Sequence, residues 1–193
     1  MISRALSRIS AASRSSAGEA AAAKGVVTQV NFSYRNSCGA QAAAALVAGG
    51  GIGRVMHVEA SYLQSWLAQD AWGDWRTHDP LTWRLSTRHG SWGTLGDVGC
   101  HIYDLATLVA GDITALACEL KTFDKGVPGN RIGPYVLDAN DSFVATVDLA
   151  GGGIGTVHAT RWATGQHNSL RVRVYGDQGA VMVDLDRAYD RYW

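Results

Sequence analysis

Apolar and polar residues alternate along much of the second half of the chain. In residues 170–175 every second residue is a leucine or a valine, and the residues between them are two arginines and a tyrosine. Successive side chains of a strand point to opposite faces of its sheet. This alternation therefore predicts a sheet that is packed on one face and wet on the other.

Similar patterns, rich in β-branched or aromatic residues and bounded by Gly, Asn or Asp, predict seven strands. They cover residues 26–34, 55–63, 116–123, 143–149, 155–162, 170–175 and 180–185. The turns at 150–153 and 176–179 are short, which suits antiparallel neighbours among the last four strands. Helices are predicted at 17–24, 39–48 and 94–110. We therefore predict an α+β fold, a large, mainly antiparallel open sheet with helices on one face.

Residues 64–92 follow neither period and are rich in tryptophan. Five of the seven tryptophans lie there: Trp66, Trp72, Trp75, Trp83 and Trp92. A long aromatic loop inside a domain is usually either a lid over a site or a packed surface loop. The sequence leaves both interpretations open.

Composition and charge exclude several classes of binding partner. Of the 193 residues 47% are hydrophobic, and Lys+Arg equals Asp+Glu at 17 each. A net charge of zero argues against nucleic acid or an anionic membrane as the main partner, and no apolar run approaches the roughly 20 residues of a membrane span. The three cysteines form no CxxC pair, so no metal site is predicted, and they favour a reducing, cytoplasmic location.

The first 24 residues are predicted to be an extension of the domain. Residues 1–16 hold three arginines, six serines and no acidic residue. This composition is typical of a mitochondrial transit peptide. The alternative is a disordered or helical remnant at the start of a truncated reading frame.

The most informative segment is residues 95–105. On a helix that advances about 100° per residue, Asp97, His101 and Asp104 fall within roughly 60° of one another, away from the apolar face. At a spacing of four residues Asp97 can accept from one ring nitrogen of His101 and leave the other to take a proton. A histidine oriented by a carboxylate is a common general base. The alternatives are an ordinary surface pair and a hydrogen-bonded core histidine.

Glycines at 90, 93, 96 and 99 surround the start of this helix, and inside a helix each costs about 1 kcal/mol relative to alanine. They indicate a close neighbour, either a ligand or a partner strand. The glycines at 49–53 follow a predicted helix and precede a strand, which is the wrong order for a phosphate loop. Those at 151–153 fit a hairpin turn. Gln64, Arg161 and Asn168 lie at strand ends, where each alone is more often structural.

Several motifs together resemble one family. They are Asn31-Phe32-Ser33-Tyr34-Arg35, Gly50-x-Ile52-Gly53, Tyr62-x-Gln64-x-Trp66-Leu67, Trp83-Arg84 and Gly93-x-Leu95-x-Asp97-x-Gly99-x-His101-x-x-Asp104-Leu105. From about residue 25 to its end, the chain is similar to the C-terminal domain of the Gfo/Idh/MocA oxidoreductases. Within that family it resembles the inositol and sugar dehydrogenases.

The resemblance implies a two-domain enzyme. An N-terminal Rossmann domain would bind NAD or NADP, and residues 25–193, folded like the C-terminal domain of glucose-fructose oxidoreductase, would bind a sugar, inositol or related polyol and form a homo-oligomer through the open sheet. By similarity His101 would exchange a proton with the substrate hydroxyl, and Asp97 would orient it or bind substrate. The further substrate contacts implied are Tyr34, Trp83, Arg84, Asp104 and His167. The tryptophan-rich loop would form a wall for a sugar ring.

The sequence also departs from the family. It has no G-x-G-x-x-G after a first strand and no Glu-Lys-Pro motif, whose lysine in the family usually completes the catalytic group. The domain is expected to be incomplete at its C-terminus as well, and the chain alone is not expected to bind a nicotinamide cofactor in the family's manner. A non-catalytic, dimerising interaction module and an inactive fragment are therefore the alternative functions.

Overall fold

The computed structural model of the protein describes residues 16–27, 29–70 and 72–193. The chain divides into two compact units, residues 1–32 and 33–193. The first unit contains helix α1 (Ser16–Ala23), close to the predicted 17–24. Residues 1–15, which make up nearly all of the transit-like segment, lie outside the described residues. The candidate chemistry lies in the second unit.

The predicted strand at residues 26–34 is wrong. None of its described residues is in a strand, and residues 33–36 form a short 3₁₀ helix, Ser33–Asn36. Val27 is 97% exposed. β-Branched residues favour extended backbone, but a strand is stable only when it pairs and packs.

A six-stranded sheet forms the centre of the second unit. The strands of the chain are β1 (Val55–Gln64), β2 (Ile113–Lys121), β3 (Arg131–Ile132), β4 (Tyr135–Val136), β5 (Ser142–Leu149), β6 (Ile154–Thr160), β7 (Asn168–Gly176) and β8 (Ala180–Asp184). The order in the large sheet is β2-β5-β6-β1-β7-β8, and β3 and β4 form a separate hairpin that the sequence did not predict. The other six predicted strands are confirmed.

The expectation that the last four strands are consecutive neighbours is only partly correct. The β5–β6 and β7–β8 hairpins are antiparallel as predicted. Strand β1, however, lies between β6 and β7, parallel to β6 and antiparallel to β7. Hydrophobic alternation fixes which face of a strand is buried but not which strand lies beside it.

Helices α2 (Cys38–Ala48) and α4 (Cys100–Ala110) pack against one face of the large sheet. Ser37 caps α2, because its Oγ accepts from the amide of Ala40 at 3.2 Å. The inward residues of the strands form the main core, with Ile102 and Leu105 of α4 fully buried. The opposite face is mostly polar, as the alternation predicted, although Val144 and Ile154 are exposed there. In the described part of the chain no helix has the length and apolarity to cross a membrane.

Much of the tryptophan-rich loop is packed. It contains helix α3 (Asp79–Thr82) and two short 3₁₀ turns, and it forms a second core with residues that follow β4. The buried members of this second core are Trp66, Leu67, Trp75, Leu81, Leu85 and Leu137. Burial of large aromatic side chains is the main stabilising contribution of this region.

The helix predicted at 94–110 begins differently from expectation. Leu95–Gly99 is a π-helical turn, and the α-helix proper, α4, follows from Cys100. Asn140 holds this beginning, since its Oδ1 accepts from the amide of Leu95 at 3.0 Å and its Nδ2 donates to the carbonyl of Trp92 at 2.9 Å. Short π-helical segments are frequent at functional sites. Here the segment carries Asp97.

Three of the four glycines of this region, Gly93, Gly96 and Gly99, approach neighbours closely, as predicted, and the neighbours are protein atoms, whereas Gly90 has none nearby. A Cβ at Gly93, where φ is +65°, would lie 2.4 Å from Nδ2 of Asn140. A Cβ on Gly99 would lie 2.9 Å from the ring of Phe143. The backbone at Gly93 must therefore stay bare for Asn140 to hold the π turn.

Alanine at position 93 is expected to destabilise the domain by about 2–4 kcal/mol, through the positive φ and the overlap with Asn140. Gly90→Ala is the matched control, because Gly90 also has a positive φ, +86°, but nothing within 4 Å of its Cβ position. This control should lose only about 1 kcal/mol. Urea unfolding measures both changes. Equal losses would mean that the contact with Asn140 carries no cost.

Candidate active site

A cavity of about 410 Å³ opens where the end of β1, the start of β7 and the π turn converge. Its lining residues are Tyr62, Gln64, Trp66, Trp72, Pro80, Leu81, Arg84, Asp97, Val98, His101 and Asn168. Its size is that of a small-molecule site, and apolar and aromatic walls surround a few polar groups. Asp97 and His101, singled out from the sequence, both line it.

Asp97 is held by two arginines. Its Oδ2 accepts from Nη2 of Arg161 at 2.8 Å and lies 3.4 Å from Nε of Arg84. The Arg161 side chain is completely buried, whereas that of Asp97 is 32% exposed. The carboxylate is therefore anchored from the protein side and accessible from the cavity. Charge-assisted hydrogen bonds of this kind are shorter and stronger than neutral ones.

Arg161 is itself fixed from several sides. Its guanidinium lies 4.8 Å from the ring centroid of Trp66, and its Nη1 donates to the carbonyl of Arg84 at 3.2 Å. Burial lowers the pKa of Arg161, and the nearby carboxylate of Asp97 opposes this effect. A buried cation needs such a partner. The Arg161–Asp97 pair is thus a single unit at the cavity floor.

A second buried ion pair supports this floor. Nζ of Lys125 lies 2.6 Å from Oδ2 of Asp141, and neither side chain has any exposed surface. The carbonyl of Asp141 accepts from the amide of Arg161 at 3.0 Å. Asp141 therefore links the two ion pairs.

His101 lies among aromatic rings on the other part of the wall. The ring of Tyr34 meets it edge-on at a centroid distance of 5.3 Å, and that of Tyr62 lies at 6.5 Å. The two tyrosine hydroxyls are 2.6 Å apart. Burial, with a contribution from the hydrogen bond to Tyr34, raises the pKa of Tyr62. Tyr62 therefore stays protonated near neutral pH and can act as a hydrogen-bond donor.

A chain of hydrogen bonds, here called the amide ladder, follows the end of the sheet. Nε1 of Trp66 donates to Oε1 of Gln64 at 3.0 Å, and Nε2 of Gln64 donates to Oδ1 of Asn168 at 2.8 Å. Nδ2 of Asn168 then faces the hydroxyl of Tyr34 at 3.5 Å. Gln64 and Asn168 are direct partners in the β1–β7 register.

The other residues singled out from the sequence take different positions. Tyr34 contacts His101, as described, and Trp83 packs on the guanidinium of Arg84 at 4.9 Å. Asp104 pairs with Arg35 through Nε at 2.7 Å and 2.8 Å. His167, on the surface, receives a 2.5 Å hydrogen bond from Trp72. Of the seven, the structure brings Asp97, His101 and Arg84 to the cavity itself.

Sequence reasoning did not select Arg161, Gln64 or Asn168 for the site. Gln64 ends β1, Arg161 follows β6 and Asn168 begins β7. The strand order that brings these positions together involves pairings between distant segments. The only sequence signal for these residues was that polar side chains occupy the ends of predicted strands. Asn140, which holds the π turn, gave no signal, because an asparagine before a strand is ordinary loop chemistry.

The fold and the cavity together define the class of protein. It is an α+β domain with an open sheet and a pocket that is lined by a histidine and by a carboxylate held by two arginines. Comparison with known protein families identifies the same class. The sequence model of the GFO/IDH/MocA C-terminal domain matches residues 40–182. The chain belongs to the Gfo/Idh/MocA family, and the resemblance read from its motifs is confirmed.

Individual relatives are dehydrogenases and oxidoreductases. The chain is 28% identical over 177 residues to levoglucosan dehydrogenase of Pseudarthrobacter phenanthrenivorans, covering 85% of this chain and 44% of that protein. A solved structure of levoglucosan dehydrogenase with NADH and levoglucosan matches with a TM-score of 0.69, at 28% identity, over 84% of this chain and 41% of the other. An oxidoreductase domain protein from Kribbella flavida matches with a TM-score of 0.70 at 35% identity, over 87% and 43% of the two chains. The chain thus spans less than half the length of these relatives.

Proposed function

We propose that this chain is the substrate-binding and proton-transferring half of an NAD(P)-dependent oxidoreductase that acts on a hydroxyl group of a sugar or related polyol. The observation that carries the proposal is that Asp97 and His101 both line this cavity. The membership of the chain in the Gfo/Idh/MocA family supports it. So do relatives that act on, or are solved with, sugars and NADH.

The chemistry follows from the groups in the cavity. Oxidation of a secondary alcohol removes a proton from its oxygen and a hydride from its carbon. A ring nitrogen of His101 takes the proton, and Asp97 accepts a hydrogen bond from a neighbouring substrate hydroxyl. Arg161 and Arg84 hold that carboxylate in place, so the Asp97 side chain loses little conformational freedom when substrate binds. Trp72 offers aromatic surface to a sugar ring. Tyr34, Trp83, Asp104 and His167 are proposed to support this pocket from behind or from its rim.

NAD(P) supplies the hydride acceptor when bound. The described residues contain no strand, glycine-rich loop and helix in that order, and the glycines at 49–53 connect α2 to β1 instead. The dinucleotide therefore does not fit onto the described residues of this chain. We propose that a separate nucleotide-binding domain presents it to the cavity.

The polar face of the sheet is the proposed contact with a second copy. A hollow of about 200 Å³ there is lined by Glu59, Ala60, Ser61, Thr156, His158, Arg171 and Arg173. It mixes both charges, with Arg173 3.4 Å from Glu59, as a self-complementary two-fold interface requires. Sedimentation that finds only monomer at micromolar concentration would contradict this part of the proposal.

A cytoplasmic location is proposed as well. All three cysteines, Cys38, Cys100 and Cys118, are free thiols, which suits a reducing compartment. A mitochondrial destination depends on residues 1–16, nearly all of which lie outside the described residues.

The test of the activity joins this chain to the nucleotide-binding domain of a family member and measures sugar-dependent reduction of NAD or NADP. A panel of sugars, anhydrosugars and inositols provides the substrates, with calorimetric binding to the unjoined chain in parallel. We expect saturable activity with at least one member and binding of the same member to the chain alone. Binding of none, and no activity, would leave the interaction module as the better interpretation.

A further inference from the structure

We infer that Gln64 and Asn168 form the hydrogen-bond-donating side of the cavity, with their polarity set by Trp66, and that this side receives the ring or ether oxygen of a cyclic sugar. This inference rests on the proposed function and deepens it. It makes Gln64 and Asn168 specificity-determining residues and Trp66 a positioning residue.

The direction of the amide ladder is fixed at one end. An indole N–H can donate but cannot accept. Because Nε1 of Trp66 points at the side-chain amide of Gln64, the atom that it meets must be the oxygen, which turns the NH₂ group of Gln64 toward Asn168. The same reasoning makes the next acceptor Oδ1 of Asn168, so Nδ2 faces the tyrosine hydroxyls. Without the indole, either orientation of both amides would satisfy the ladder.

The residues of the amide ladder and the two tyrosines carry more N–H and O–H donors than the hydrogen bonds among them use. Each amide nitrogen carries two N–H groups, and each tyrosine hydroxyl carries one O–H. Even when Asn168 donates to both Tyr34 and Tyr62, one N–H of Gln64 remains beyond the described contacts. The bond between the tyrosines uses one O–H in either direction and leaves the other. Because Gln64, Asn168 and Tyr62 all line the cavity, this side offers donors to a ligand.

The floor of the cavity has the opposite polarity. An ionised carboxylate only accepts, so Asp97 requires a hydroxyl proton from its ligand. A ring or bridging ether oxygen has no proton and cannot satisfy Asp97, but it can accept from the amide ladder. The two sides together therefore orient a cyclic sugar, with hydroxyl groups toward Asp97 and the ether oxygen toward Gln64 and Asn168.

The test compares pairs of ligands that differ only at that oxygen. The probes are 1,5-anhydrohexitols and their carbocyclic counterparts, in which CH₂ replaces the ring oxygen, and calorimetry measures their binding to the full chain. The wild-type chain is expected to favour the ether member by on the order of 10-fold, because the carbocycle leaves a buried N–H unpaired. Trp66→Phe, which keeps the aromatic surface under Arg161, and Asn168→Asp should each bring this ratio toward one. Trp72→Phe is the matched control and should retain it.

The ratio separates the role of the ladder from general loosening, since both ligands of a pair carry the same hydroxyl groups. Equal affinities in the wild-type chain, or an unchanged ratio in both variants, would overturn the inference and leave the proposed function intact. Failure of every sugar to bind the wild-type chain would instead refute the proposed function and the inference with it. If thermal unfolding finds Trp66→Phe unfolded, Asn168→Asp decides the outcome.

Discussion

Replacing His101 with glutamine is expected to lower kcat by about 100- to 10,000-fold in the chain joined to a nucleotide-binding domain, with a much smaller change in KM. Glutamine retains hydrogen-bonding capacity and approximate size but cannot take up a proton. The sugar should therefore still bind between Asp97 and the amide ladder. Steady-state rates of NAD(P) reduction give both constants.

The matched control for this experiment is His89→Gln. His89 is exposed, contacts Ser86 and Tyr135, and is not part of the cavity wall. It should leave both constants unchanged. Equal activity of His101→Gln and the parent would remove His101 from the mechanism. An increase in KM with kcat unchanged would make it a binding residue.

Lys125→Met is expected to have the largest effect on stability, a loss of about 3–5 kcal/mol, because it leaves Asp141 buried without its cation. For a domain of this size, such a loss corresponds to a decrease in Tm on the order of 10 °C. Denaturant unfolding monitored by tryptophan fluorescence measures it. The buried tryptophans Trp66 and Trp75 report on the unfolding of the second core.

Arg191→Met is the control, since Arg191 and Asp190 form a pair in which both side chains are about two-thirds exposed. Exposed pairs contribute at most about 1 kcal/mol. The double variant Lys125→Met with Asp141→Asn should recover part of the loss, because asparagine still accepts from the amide of Phe123 without carrying a charge. Similar losses from Lys125→Met and Arg191→Met would mean that the buried pair contributes no more than a surface pair.

The sheet was largely predictable because its physical signal is local. In β7 the alternation of valine with arginine sets which side chains enter the core, and the structure buries Val172 and Val174 as expected. Residues 26–34 carry a similar local signal without a partner strand, and there the prediction failed. Periodicity reports what a strand would bury, whereas its existence depends on a neighbour elsewhere in the chain.

The residues of the candidate site likewise fall into those that lie close in sequence, which could be predicted, and those that strand order brings together, which could not. Asp97 and His101 are four residues apart, so their common location on the cavity wall could be expected from one segment. Arg161 reaches Asp97 from the end of β6, and the amide ladder joins β1 to β7. These contacts depend on strand order, which follows from packing of the whole domain. The π turn was also missed, since Asn140, which holds its beginning, lies 45 residues away from Leu95 in the sequence.

The position of β1 has a consequence for the order of events during synthesis. His57 pairs with Ile154 on one side and with Tyr175 on the other, both encoded far downstream. Until the ribosome has released those segments, β1 has two unsatisfied edges, and such edges readily recruit foreign strands. The hydrogen bond between Gln64 and Asn168 forms only when β7 pairs with β1. The cavity, which needs residues from both strands, therefore cannot form before β7 has been synthesised.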